Sequence, residues 1–254
     1  MSAPEGVDLT KSQAVLLGTA KYTEGLTTIE AAANSLGRMR RVLTGLCGWP
    51  EDRVMTVPDP INRDERFGGV RDLIYEAEDV LLFYYVGHGL MLPDHGLGLA
   101  LVDSQEDPTH VSETTYSWNS LRAQLKLRCR ARLKLVILDC CYAGIATKNP
   151  LGPAKLTDQI REVVNAQDIH GLCVWTASRA GEEAVYQDGP DGLTYFTKVI
   201  CEAVEDGIEG AGPQLMLADL DREVTRRLRG LGLLTKWGLR AGGNDGMSVL
   251  VATR

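Results

Sequence analysis

Apolar residues in this chain come in short runs, and between the runs they recur at helical spacing. Gln13–Thr19, Arg53–Val57, Val80–Val86, Leu133–Asp139, Gly171–Ser178 and Met247–Thr253 each read as a strand of five to eight residues. Thr27–Leu46 sets Ile29, Leu36, Met39 and Leu43 on one helical face, with Gly48 and Pro50 just past its end. Asp64–Glu78, weakened by two glycines, reads as a helix, as do Tyr116–Leu127, Leu156–Ala166, Leu193–Asp206 and Gln214–Gly230. Gly96–Asp103 is a strand or half of a hairpin, and Ile145–Lys155, with two prolines, a glycine and two lysines, is an exposed loop. Short apolar strands alternating with helices predict an α/β fold. Its mostly parallel six-stranded sheet would carry helices on both faces, a three-layer sandwich.

Two of the strands end in unusual residues. Val80–Val86 runs into Gly87-His88-Gly89, and Leu133–Asp139 runs into Cys140-Cys141-Tyr142-Ala143-Gly144. In parallel sheets the active crevice lies at the carboxyl ends of the strands. If these two strands are adjacent, His88 and one cysteine emerge there side by side. A cysteine attacks as its thiolate, and a neighbouring imidazole takes its proton and later returns one to the leaving amine. The oxyanion of the intermediate needs fixed N–H donors. The backbone N–H groups of Gly89 and Cys141 are the candidates.

Composition narrows the classes. The 254 residues suffice for a full core without disulfide or metal staples. A net charge of −7 lacks the basic footprint of a nucleic-acid binder, so no nucleic-acid partner is expected. The one compact basic run, Leu125–Lys134, reads as the solvated face of a helix. None of the six cysteines forms a CxxC pair, no leader-like apolar region opens the chain, and no run could span a bilayer. Thiols in the reducing cytoplasm, and no membrane partner, are the expectation. No GxxxxGK[ST] loop and no G-x-S-x-G elbow occurs, and no arginine stands six residues past Cys141. A metal site from His88, His95 and Cys141 has no usual ligand spacing. His95, His110 and His170 lie in polar contexts and read as surface residues. Trp175 reads as packing.

The pair Tyr84-Tyr85-Val86-Gly87-His88-Gly89 and Asp139-Cys140-Cys141-Tyr142-Ala143-Gly144 resembles the caspase-like cysteine peptidases, especially metacaspases and their bacterial relatives. The two candidate residues are 53 positions apart, close to the roughly 50 of the caspase spacing. The resemblance implies a caspase-like fold from residue 13 to 254 after a flexible N-terminus, 1–12. Within it, 13–144 would be large-subunit-like, 145–168 an intersegment loop and helix, and 169–254 small-subunit-like. It selects Cys141 as nucleophile and leaves Cys140 to packing. It also implies that Asp139 helps form a pocket for Arg or Lys in a protein or peptide substrate. Val86 and Ser35 stand where relatives often carry a serine and an aspartate. Ser178 ends the Trp175 strand, and Glu182 and Glu183 lie in the loop after it. Ser35, Val86, Ser178 and Glu182 are the further candidates for substrate binding. Asp139 could instead cap the helix after the nucleophile turn. No cofactor is required for this chemistry, and calcium, which activates some metacaspases, remains open as an activator. Self-cleavage at Lys148 or Lys155 and a sensor or activator protein are further implications, in a bacterial defence or regulated cell-death pathway. The alternative is a proteolytically inactive caspase-like interaction module.

Overall fold

The computed structural model describes residues 6–61, 65–94, 96–141, 168–177, 186–211, 214–233, 238–241 and 250–253. The strands are β1 (Gln13–Gly18), β2 (Val54–Pro58), β3 (Val80–Met91), β4 (Leu97–Ala100), β5 (Thr115–Ser117), β6 (Leu133–Cys141), β7 (Leu172–Thr176), β8 (Gln214–Met216), β9 (Gly238–Ala241) and β10 (Leu250–Thr253). The helices are α1 (Glu30–Gly45), α2 (Glu65–Glu76), α3 (Val111–Thr114), α4 (Trp118–Leu127), α5 (Tyr195–Asp206) and α6 (Leu217–Gly230).

The main sheet runs β2-β1-β3-β6-β7-β9. Its first five strands are parallel and β9 is antiparallel to β7. Alternate residues of each strand face opposite layers. Leu82, Tyr84, Val86, Leu135 and Ile137 pack against α1, α5 and α6 through residues such as Leu36, Met39, Val199 and Leu220. Leu81, Phe83, Tyr85, Val136 and Leu138 pack against α2 and α4 through Val70, Ile74, Leu121 and Leu125. Strands buried on both faces read as unbroken apolar runs, which is why they show in the sequence.

Several elements depart from their expected bounds. The apolar run Val80–Val86 does not stop at Gly87. β3 continues to Met91, because β4 pairs antiparallel with its last residues where β1 has already ended. Gly96–Asp103 is therefore half of a hairpin. Gln214–Met216, expected as the start of a helix, is β8, and β10 joins it in a separate two-stranded sheet instead of entering the main one. α1 begins at Glu30, not Thr27, so residues 27–29 stay outside the helix.

The basic run is not all solvated helix face. Lys134 lies in β6, 7% exposed, with Nζ donating to Ala131 O at 2.6 Å and His170 O at 3.3 Å. Part of the stretch expected to be flexible is pinned: Asp8 N–H donates to Asp79 Oδ2 at 2.6 Å and Val80 N–H to Ser12 Oγ at 3.1 Å. Cys47, Cys129, Cys140, Cys173 and Cys201 are free. No described helix is long and apolar enough to cross a membrane.

Candidate active site

β3 and β6 are neighbours in parallel register, and the ladder ends on the pair His88↔Cys141. Paired Cα positions on adjacent strands stand about 5 Å apart. Both positions share the face that carries Tyr84, Val86, Ile137 and Asp139, the α1 and α5 side. Cys140 belongs to the opposite face, 1% exposed among the residues that pack on α2 and α4. Strand parity thus separates the two cysteines as the resemblance did.

The half-buried imidazole of His88 is held from three sides. Nε2 lies 2.8 Å from Thr27 O. A carbonyl only accepts, so Nε2 carries the proton and Nδ1 is left as the basic nitrogen. The Tyr22 ring packs on the imidazole at 4.9 Å, tilted by 46°. The Tyr22 hydroxyl donates to Thr19 O at 3.0 Å and accepts from His88 N–H at 3.0 Å. Beneath, Tyr85 Oη lies 2.8 Å from His88 O and 2.7 Å from Ala100 O, sharing its one proton between the two carbonyls and fixing the strand where its pairing passes from β1 to β4. Neither Thr27, Tyr22 nor Tyr85 was singled out from the sequence. A backbone carbonyl carries no residue signature, Tyr85 inside its apolar run looks like packing, and Tyr22 lies in a polar stretch with no motif around it.

The glycines flanking His88 have separate reasons. A Cβ at Gly87 would lie 2.6 Å from Tyr85 Oη and 2.9 Å from Tyr22 Oη. Both rings are hydrogen-bonded and Tyr85 is fully buried, so neither can yield. We expect Gly87→Ala to destabilise the chain by about 1–3 kcal/mol, read as a lower Tm, with the histidine displaced. A wild-type Tm would mean the tyrosines move freely. At Gly89 the issue is direction. Leu92 N–H donates to Gly96 O at 2.9 Å, and bonded pairs alternate along an antiparallel ladder. With Leu90 opposite Gly98 and Gly89 opposite Leu99, the N–H of Gly89 points away from β4, toward β6. The N–H of His88, which meets Tyr22 on the β1 side, agrees with this phase.

Asp139 sits two positions before Cys141 on the same face, roughly 7 Å along the strand. It is 2% exposed and bound to the start of α5. The Thr194 hydroxyl donates to Asp139 Oδ2, and the Thr197 hydroxyl donates to the same oxygen at 2.5 Å. Tyr84 Oη lies 2.6 Å from Thr197 Oγ1, and Ser35 Oγ lies 3.2 Å from Thr194 Oγ1. Since each threonine gives its proton to Asp139, Tyr84 and Ser35 are the donors in these two contacts. Two hydroxyl chains therefore converge on one carboxylate oxygen. Oδ1 is buried with no hydrogen-bond partner among the described residues. Burial pushes the carboxyl up to about 6, against the pull of the Thr194 and Thr197 hydrogen bonds. The described helix that Asp139 meets is α5; the segment after the nucleophile turn lies outside the described residues.

Of the expected pocket residues, Ser35 is fully buried and reaches Asp139 through Thr194, whose N–H also donates to Ser35 Oγ at 3.0 Å. Val86 is 1% exposed and in register with Asp139, an apolar wall offering no polar arm. Trp175 is fully buried, edge-on to Phe196 at 5.2 Å, which is packing. His110 and His170 are exposed. Ser178, Glu182, Glu183 and His95, the Ile145–Lys155 loop and the Leu156–Ala166 helix lie outside the described residues.

A parallel sheet between two helical layers, with histidine and cysteine paired at its strand tips, is the framework of a caspase-like α/β sandwich. The caspase domain family, peptidase family C14, matches residues 11–237, and the chain belongs to it. Among solved structures, it resembles a structural-genomics protein from Geobacter sulfurreducens, with a TM-score of 0.63 and 16% identity over 94% of this chain and 97% of that one. It also resembles caspase-1 from Spodoptera frugiperda, with a TM-score of 0.59 and 13% identity over 96% of this chain and 86% of that one. At such identities the likeness is one of fold. No curated protein sequence matches the chain significantly.

Proposed function

We propose that this chain is a cysteine endopeptidase that cuts protein substrates after Arg or Lys, with Cys141 as nucleophile and His88 as general acid–base. The observation that carries the reading is the register pair His88↔Cys141 at the end of the β3–β6 ladder. In the reaction the Cys141 thiol gives its proton to His88 Nδ1, the nitrogen left basic by the Thr27 contact. The thiolate adds to the scissile carbonyl, and the backbone N–H groups of Gly89 and Cys141 receive the oxyanion. The imidazolium then protonates the leaving amine as the C–N bond breaks. Water, deprotonated by the same nitrogen, hydrolyses the thioester and regenerates the thiol.

Preference for a basic residue is supported by Asp139. Its Oδ1 is a buried acceptor with no partner among the described residues, two positions from the nucleophile. A guanidinium or ammonium group would supply the missing donor and charge. A bacterial defence or regulated cell-death pathway, with a protein activator, rests on the family resemblance.

Fluorogenic peptides ending in Arg, Lys or Asp, offered with and without calcium to wild type and Cys141→Ala, test the reading. Turnover of the Arg and Lys peptides by wild type and none by the variant is the expected result. Equal turnover by both removes Cys141 from the chemistry. Cleavage of the Asp peptide alone reverses the role given to Asp139, and no turnover of any peptide points to the interaction module.

A further inference from the structure

We infer that Asp59, just past the end of β2, is a positioning residue for His88. The inference rests on the catalytic role proposed above. Asp59 is the one non-glycine residue with positive φ, +46°, among the described residues. Such a conformation is unfavourable for an L-residue and persists only where its surroundings hold it. Here they do. Asp59 N–H donates to Gly18 O at 2.7 Å, and Pro60 O accepts from Val102 N–H at 3.0 Å. In that pose Asp59 Oδ1 accepts from Ala20 N–H at 2.8 Å and Lys21 N–H at 3.1 Å.

Those two amides open the loop that supports the imidazole. Tyr22, the next residue, packs its ring on His88 and binds the His88 N–H. Ala20 O accepts from Ile29 N–H at 2.8 Å, which closes the loop and sets Thr27, whose carbonyl fixes His88 Nε2. The carboxylate thus holds a segment whose far side determines which imidazole nitrogen is basic. What the role requires is a short side chain that tolerates positive φ and offers an acceptor, and asparagine has both properties.

Three variants separate the components. Asp59→Asn keeps acceptor and conformation, Asp59→Gly keeps the conformation only, and Asp59→Ala keeps neither. With the best basic peptide, Asp59→Ala and Asp59→Gly are expected to lower kcat by about 10- to 100-fold at unchanged KM, and Asp59→Asn to stay near wild type. In a second readout, ¹⁵N NMR of histidine-labelled protein follows the tautomer of His88. The Nε2–H form is expected in wild type and Asp59→Asn, and mixed tautomers in Asp59→Gly and Asp59→Ala. Wild-type kcat and tautomer in Asp59→Gly overturn the inference, as does an Asp59→Asn as impaired as Asp59→Gly. Should Asp59→Ala not fold, the Asn and Gly variants still decide. The NMR readout needs no turnover. A failed peptidase reading therefore leaves the tautomer following Asp59, whereas a failed role for Asp59 leaves the tautomer unmoved.

Discussion

Replacing His88 with alanine is expected to lower kcat/KM on a basic peptide by on the order of 10⁴-fold and to leave the fold in place. The loss is large because no described neighbour can take over the proton: Tyr22 and Thr27 steer the imidazole without accepting from the nucleophile. The fold survives because His88 is only half-buried and the carbonyl it releases, on the exposed Thr27, turns to water. The stability cost is about 1 kcal/mol or less. The main-chain bonds of β3 are untouched. The check is steady-state kinetics beside a thermal melt. A variant that keeps a tenth of the activity, or one that melts many degrees early, rejects the placement of His88 as the proton carrier on a rigid strand.

Replacing Asp139 with asparagine separates function from stability. Cleavage after Arg or Lys is expected to fall by about 100-fold or more, since the carboxylate charge proposed to pair the substrate would be gone. Stability at neutral pH is kept or raised. Burial lifts the Asp139 carboxyl from its usual 3.8 to about 6. A carboxyl with a higher pKa folded than unfolded binds its proton more tightly in the folded state. Its contribution to stability is therefore greatest below about pH 3.8 and declines as pH rises to about 6. The buried charge costs about 3 kcal/mol above that window, and an amide carries no such cost. Its oxygen can accept from Thr194 and Thr197, and its NH2 takes the place of the oxygen that has no partner. Thermal melts from pH 5 to 8 should show the variant gaining on the wild type as pH rises. In the wild type, KM for basic peptides should improve as pH climbs through about 6 and Asp139 ionises. A variant that is less stable at pH 8 and still cuts after Arg would make Asp139 a plain cap of α5.

Much of this was legible along the chain. Val80–Val86 and Leu133–Asp139 could be read as buried parallel strands because both of their faces meet helices, so their residues are almost all apolar or aromatic, with Lys134 the exception before the terminal Asp139. His88 and Cys141 stood out because their strands end on glycine and on paired cysteines. The α1 start was misjudged because Thr27 looks like the beginning of a helix, while its carbonyl is drawn off by His88. Lys134 reads as part of a solvated face because its neighbours are basic, yet two carbonyls satisfy it at the start of β6, between β3 and β7. Thr194 and Thr197 carry no distinguishing mark within the helix read over Leu193–Asp206. Their hydroxyls acquire meaning only beside an aspartate more than fifty positions earlier.

The sequence by itself determined the layered α/β class and the two apolar runs that lead into His88 and Cys141, and it named those two residues as the candidates. These follow from local periodicity and residue type, which need no knowledge of partners. Only the tertiary structure decided that β3 and β6 are neighbours in the register that pairs His88 with Cys141. It alone decided that Nδ1 is the basic nitrogen, that Gly89 turns its N–H toward β6, and that one oxygen of Asp139 is consumed by α5 while the other is not. Each of these depends on hydrogen-bond directions between segments far apart in the chain, and a linear pattern does not encode direction.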